Sequence, residues 1–563
     1  MHSNTSRRTF VKGLAAGGLL GGLGLWRTPV WALTRPGEPQ MLTGSDFELF
    51  IGETPVNITG NPRTAMTING GIPGPLLRWR EGDTVTLRVK NRLKESTSIH
   101  WHGILLPANM DGVPGLSFHG IEPGGVYVYQ FQVRQNGTYW YHSHSGLQEQ
   151  SGVYGPLVID AKEPEPFEYD RDHVVMLTDW TDEDAASLMN TLKKQSDYYN
   201  YNKRTVGDFI DDVSKNGWAA TVADRKMWAE MKMNPTDLAD VSGATYTYLM
   251  NGLAPDSNWT GVFRPGEKLR LRFINGSAMT YFDVRIPGLK MTVVAADGLH
   301  VKPVSVDEFR IAVAETFDVI VEPTQDAYTV FAQSMDRTGY ARGTLAMKAG
   351  LSAPVPALDP RPLVTMDDMG MRGMDHGSMA GMDHSAMGGM QAHPATENDN
   401  PLVDMQAMST SPKFDDPGLG LRNNGRRVLT YSDLRSTFED PDGRDPGRTL
   451  ELHLTGHMEK FAWSFNGVKF SDAEPLRLKY GERVRIVLVN DTMMTHPIHL
   501  HGMWSDLEDE NGEFMVRKHT IDMPPGSRRS YRVTADALGR WAYHCHLLYH
   551  MEMGMFREVR VEE

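Results

Sequence analysis

Twelve residues near the C-terminus carry the only cysteine of this 563-residue chain: His544-Cys545-His546-Leu547-Leu548-Tyr549-His550-Met551-Glu552-Met553-Gly554-Met555. A thiolate between two imidazoles, with another imidazole five residues on and a thioether ten residues on, supplies the ligand types of a blue-copper electron-transfer site. Successive side chains on a strand point to opposite faces. Cys545 would therefore face one metal while His544 and His546 face others, and electrons would cross only a few covalent bonds between them. A lone cysteine is more often a small buried hydrophobe, but the His-Cys-His spacing with Met555 behind it speaks against that reading.

Three more motifs supply imidazoles: His100/His102, His142/His144 and His496/His499/His501. With His544, His546 and His550 they bring the total to ten histidines. Each His-x-His pair on a strand aims two rings to one side. Giving His496, Cys545 and His550 to the blue copper leaves eight imidazoles, which suit three coppers with positions open to oxygen. Zinc and iron also accept imidazole, but thiolate plus thioether favours copper. Zinc does not change oxidation state and would leave the Cys545 bridge without purpose.

The elements that position these motifs form an internal repeat. Each copy has an Asn-Gly dipeptide, a Gly-containing turn and an alternating strand ending in Asn. The copies are Asn69-Gly70 with Glu81 to Asn91, Asn251-Gly252 with Pro265 to Asn275, and Asn466-Gly467 with Gly481 to Asn490. Alternation such as Val85, Leu87 and Val89 against Thr86, Arg88 and Lys90 marks a half-buried strand. Three copies predict an all-β chain of three related antiparallel sandwiches or barrels. Histidine motifs follow the repeated strand in the first and third copies, whereas Ala278 to Val284 in the second holds none. The metal cluster is therefore expected between the first and third domains, with the second as spacer. The expected boundaries are 42–165, 166–350 and 427–563. Residues 182–240 lack β alternation and predict short helices inserted in the second domain, where Met227, Trp228, Met231 and Met233 read as core. Residues 351–426 predict a Met-rich linker.

Forty per cent hydrophobic residues with abundant Gly and Pro suit a turn-rich β protein, and a net charge of -14 argues against nucleic acid as a partner. A single cysteine excludes an internal disulfide. Ser6-Arg7-Arg8-Thr9-Phe10-Val11-Lys12, an apolar run to about Leu25 and Val30-Trp31-Ala32 resemble a twin-arginine export signal over residues 1–32. The run is too short and glycine-rich to span a membrane. The periplasm is the expected compartment.

The four motifs, in order and spacing, resemble those of the multicopper oxidases over essentially the whole mature chain. The resemblance implies three cupredoxin-like Greek-key domains holding four copper ions. It implies His496, Cys545, His550 and axial Met555 as type 1 ligands. His100 and His499 would be the type 2 ligands, and His102, His142, His144, His501, His544 and His546 those of the type 3 pair. It also implies the reaction: the type 1 site takes single electrons from a reductant, and His544-Cys545-His546 passes them on for four-electron reduction of dioxygen to water. Asp111 resembles an acid of the family near the type 2 site, although an Asp-Gly turn explains it equally well. Bacterial cuprous oxidases often carry a Glu directly after the residue matching His550; here Met551 stands there and Glu552 follows, which leaves Glu552 as a second proton donor open.

Met366, Met369, Met371, Met374, Met379, Met382, Met387 and Met390 stand among His376 and His384. Thioethers select Cu(I) over harder cations, so this stretch is expected to bind additional Cu(I), although a low-complexity linker is the plainer reading. With the export signal and the four motifs it resembles the copper-resistance, CopA/PcoA-type branch of the family. The expected activity is oxidation of Cu(I) to Cu(II), in copper resistance, by a monomer that meets other periplasmic copper-handling proteins. A laccase-like phenol oxidase and a copper-sequestering protein are the alternatives.

Overall fold

A computed structural model describes residues 40–371 and 391–563. The chain is mostly β, in six sheets. Strands from residues 41–160 make a five-stranded and a four-stranded sheet, and residues 171–346 and 448–562 each make a six-stranded and a five-stranded sheet. In each copy the repeated strand lies parallel to an earlier one: Thr84–Asn91 beside Asp46–Val56, Leu269–Asn275 beside Arg171–Thr181, and Arg483–Asn490 beside Arg448–His457. A parallel neighbour inside an otherwise antiparallel sheet requires a connection that crosses between sheets, as in a Greek key. The architecture is that of three cupredoxin-like β-sandwiches.

Two asparagines do the same work in every copy. Asn69, Asn251 and Asn466 have positive φ of 54°, 50° and 50°, followed by left-handed Gly70, Gly252 and Gly467. Two consecutive left-handed residues make the hairpin turn that matches strand twist, which is why Asn-Gly stands there. Each Asn side chain also accepts a backbone N–H from a neighbouring strand: Phe50 at 2.8 Å, Met176 at 2.7 Å and His453 at 2.7 Å. The Asn that ends the repeated strand is buried and donates to two carbonyls, one in the loop beyond and one in a segment some thirty residues further on. Asn91 reaches Glu95 and Ile121, Asn275 reaches Thr280 and Ile311, and Asn490 reaches Met494 and Met523. In the first and third copies that loop delivers His100 and His496.

One strand departs from the expected alternation. Leu269–Asn275 is buried throughout, Arg270 and Arg272 included, where an alternating strand predicts one solvated face. That face packs against the first pair of sheets instead. Asp318 takes Arg270 Nη2 at 2.5 Å and Thr138 Oγ1 at 3.0 Å, and Arg272 Nε reaches Asp172 at 2.8 Å. Paired in this way, the guanidinium groups are buried at tolerable cost.

The insert forms the expected helices, Ala185–Lys194, Val206–Asn216 and Trp218–Met231. Trp228 and Met233 are buried in the core. Both flanks of residues 372–390 return to one place: Gln391 donates to the Met408 carbonyl at 3.0 Å, and Ser409 donates to Gly370 at 2.8 Å. Met369 and Met371 are buried and Met366 packs on the core. Met374, His376, Met379, Met382, His384, Met387 and Met390 lie outside the described residues, as does the export signal.

Replacing a strand-ending Asn strands buried carbonyls, at a cost of about 1–3 kcal/mol. Asn275→Ala and Asn490→Ala should therefore both lower the denaturant midpoint, but only Asn490→Ala should also change the visible spectrum of the copper-loaded protein. Equal spectra would show that Asn490 does not shape the His496 loop.

Candidate metal centre

Strand register sorts the candidate ligand residues. Strand His496–Leu500 pairs antiparallel with Gly539–Cys545, Ile498 opposite Cys545 and His499 opposite His544. Directly paired residues point to the same face and neighbours along a strand to opposite faces. His496 and Cys545 therefore share one face, and His499, His501 and His544 the other. In the first pair of sheets, strand His100–His102 pairs with Gly137–His142, His100 opposite His142, so both rings and His102 share a face.

On the first face, Cys545 Sγ lies 3.5 Å from His496 Nδ1 and 3.9 Å from His550 Nδ1, and the two nitrogens are 3.2 Å apart. Both rings and the thiol are fully buried. The far nitrogens are held: His496 Nε2 contacts Thr492 Oγ1 at 2.7 Å, and His550 Nε2 contacts Asp240 Oδ2 at 2.7 Å. Trp463 stacks on His550 with ring centroids 3.9 Å apart. Met555 is buried where the loop closes: its N–H donates to His550 O and its carbonyl accepts from Cys545 N, each at 3.1 Å. Burial pushes the Cys545 thiol up, so a thiolate is stable there only beside a cation.

On the other face, rings from the first and third pairs of sheets interleave. His100 stacks on His501 at 3.9 Å and His102 on His499 at 3.8 Å. His144 Nε2 and His501 Nε2 lie 3.3 and 3.0 Å from His544 Nε2. The remaining inward nitrogens, His100 Nε2, His102 Nδ1, His142 Nε2, His499 Nε2 and His546 Nε2, are buried with no hydrogen-bond partner. Oxygens fix many of the opposite nitrogens. His100 Nδ1 bonds the Asp111 carbonyl at 2.8 Å, His501 Nδ1 bonds Asp111 Oδ2 at 2.8 Å, and His499 Nδ1 bonds His519 O at 2.6 Å. His142 Nδ1 lies 2.6 Å from Glu149 Oε2. Burial holds the pKa of the His144, His501 and His546 rings well below the ordinary value, and His544 down to about 3. Neutral rings whose free lone pairs converge are a metal-binding arrangement, each imidazole oriented by an oxygen behind it. Thiolate, imidazole and thioether donors fit copper.

Profiles of the multicopper oxidases match residues 51–164, 171–350 and 443–563. The chain belongs to the multicopper oxidase family. It is similar to copper resistance protein A of Pseudomonas syringae pv. tomato, 77% identical over 609 residues and covering 100% of each chain. Copper resistance protein A of Escherichia coli is 72% identical over 601 residues, with 99% of each covered. Among solved structures, Fet3p, a multicopper oxidase that functions in iron import, superposes with a TM-score of 0.65 at 20% identity, covering 92% of this chain and 91% of that one. This multicopper oxidase is therefore a copper-binding oxidoreductase with dioxygen as acceptor.

Several residues at the centre carry no motif. Glu149 stands five residues after His144, and burial followed by the Asp179 carboxylate pushes its carboxyl well above the usual range. Asp240 comes from the insert, far from His550 in sequence. His519 adds a ninth ring, its Nδ1 3.2 Å from His102 Nε2. Glu552, by contrast, is exposed at the end of helix Leu548–Glu552, whereas Glu149 and Asp111 contact His142 and His501 directly.

Cys545→Ser keeps the side-chain volume and removes the soft ligand. Circular dichroism should be unchanged while blue colour and turnover are lost; retained blue absorption would show that Cys545 is not a ligand.

Proposed function

We propose that this chain is a periplasmic cuprous oxidase of copper resistance, exported by the twin-arginine route. The overall reaction is four Cu(I), dioxygen and four protons giving four Cu(II) and two waters. His496, Cys545, His550 and Met555 would hold the type 1 copper. His100 and His499 would hold the type 2 ion, and His102, His142, His144, His501, His544 and His546 the type 3 pair. When bound, these four ions supply one-electron acceptance at one site and four-electron reduction of dioxygen at the other.

The protein's part is placement. Cys545 and its two neighbours give a short covalent route between the faces of one strand. Asp111 orients His100 and His501 and is the acid we assign to proton delivery. No helix among the described residues is long and apolar enough to cross a membrane.

The observation that carries the choice of substrate is the cover over His550. Asp240 bonds its outer nitrogen, Trp463 stacks on its ring, and neither His496 nor His550 is exposed. A phenol needs contact with a ligand ring, whereas a metal ion needs only a carboxylate that touches one. A cleft of about 390 Å³ is lined by Met233, Asp237 and Met458, and Asp237 stands three residues before Asp240; thioether and carboxylate donors there suit an incoming Cu(I). The relatives named copper resistance protein A support the same substrate.

Asp240→Ala should lower Cu(I) turnover roughly 10–100-fold, the usual effect of losing a ligand's hydrogen-bond partner, and phenol oxidation less, because a phenol does not need the carboxylate to receive it. Deleting residues 372–390, which spares the packed Met369 and Met371, should weaken Cu(I) oxidation at low copper without loss of phenol oxidation. Oxygen-uptake rates with chelated Cu(I) and with a phenol check both. Undiminished Cu(I) turnover in Asp240→Ala would argue for a different route of electrons to His550, and loss of stored copper alone on deletion would favour sequestration.

A further inference from the structure

Outside both copper centres, four metal-binding side chains close on one point. His393 precedes and Glu397 ends the turn Ala395–Glu397, His453 lies on strand Arg448–His457, and Asp491 follows strand Arg483–Asn490. His393 Nδ1 is 3.2 Å from Asp491 Oδ2 and 3.3 Å from Glu397 Oε2. His453 Nδ1 is 2.6 Å from the same Asp491 oxygen and 3.7 Å from Glu397 Oε1. Glu397, His453 and Asp491 are buried.

Two features set this cluster apart from ordinary ion pairs. First, His393 Nδ1 and Glu397 Oε1 are buried without a hydrogen-bond partner, although oppositely charged groups stand next to them. Ligands about 2.0–2.1 Å from a tetrahedral ion lie about 3.3–3.4 Å from one another. Three of the four separations are close to that edge, and the fourth is shorter because His453 and Asp491 are in hydrogen-bond contact. Second, the far nitrogens are already engaged. His393 Nε2 donates to the Ala407 carbonyl at 3.1 Å and His453 Nε2 to Glu451 at 3.2 Å. Metal binding would place the proton on Nε2 of both rings, His453 giving up its Nδ1–H bond to Asp491, so that each Nδ1 lone pair faces inward as in metal-bound histidines. The carboxylates are braced too, Asp491 Oδ1 by Ala407 N at 2.8 Å and Glu397 Oε2 by Gln406 Nε2 at 3.1 Å.

We propose that His393, Glu397, His453 and Asp491 bind a divalent transition cation at a site separate from the two copper centres. Two imidazoles and two carboxylates suit Zn(II) or Cu(II) and are too hard to favour Cu(I). The site ties the segment downstream of the methionine-rich stretch to the third pair of sheets. Asp491 also directly precedes Thr492, the partner of His496. Cu(II) as its occupant, taken up as product, rests on the cuprous oxidase reading; the site itself does not.

Equilibrium dialysis of the copper-loaded full chain against Zn(II), which thioethers bind poorly, tests the site without any turnover. The wild type should retain one more zinc per chain than Glu397→Gln, with the same blue absorption in both. His393→Gln, nearer the surface, gives the same comparison if Glu397→Gln does not fold. Added Cu(II) should displace that zinc, because affinity falls from copper to zinc. Equal zinc retention in wild type and variants would overturn the site and leave a cluster of buried ion pairs. Zinc that Cu(II) cannot displace would overturn the copper assignment alone.

Discussion

A buried ring nitrogen without a partner costs free energy, and this protein gathers six of them in one place, at His100, His102, His142, His499, His519 and His546. Such a cluster persists only if a cation offsets the cost or the surrounding structure is rigid enough to bear it. The rigid surroundings are visible. Strand pairing fixes the backbone of each motif, and oxygens from Asp111, Glu149 and the His519 carbonyl hold the opposite edges of the rings. The sandwiches are frames that bring lone pairs from two parts of the chain to face each other, and the middle pair of sheets is tied to the first by buried contacts such as Thr138 to Asp318.

The same constraint explains the division into two sites. Side-chain alternation sends Cys545 to one face and His544 to the other, and the pairing of Ile498 with Cys545 brings His496 to the cysteine's side. A one-residue slip in register would send every one of these side chains to the wrong face. That is a strong reason for the strand-ending Asn490, which fixes where the loop to His496 begins.

Much of this was legible in the sequence because it depends on local periodicity. The Asn-Gly turns, the alternating strands and the His-x-His pairs each carry a spacing that maps directly onto a turn or a strand face. Glu149, Asp240, His519 and Trp463 were not legible, because each reaches the centre through tertiary packing from a stretch with no spacing of its own. Leu269–Asn275 misled for a related reason. Its arginines mark a solvated face only when nothing packs there, and Asp318 and Asp172 pack there. Met369 and Met371 were indistinguishable in sequence from their neighbours in the methionine-rich stretch, yet they belong to the core.

The coverage of His550 by Asp240 and Trp463 makes the site better suited to an ion than to an organic ring, and the cysteine bridge makes sense only if single electrons are collected for a multi-electron acceptor. The most direct measurement of that claim is the ratio of dioxygen consumed to chelated Cu(I) oxidised, with peroxide assayed in parallel. The expected result is one dioxygen for every four cuprous ions, with no peroxide released. One dioxygen for every two, with peroxide as product, would contradict electron transfer through Cys545 to a centre that completes the reduction to water.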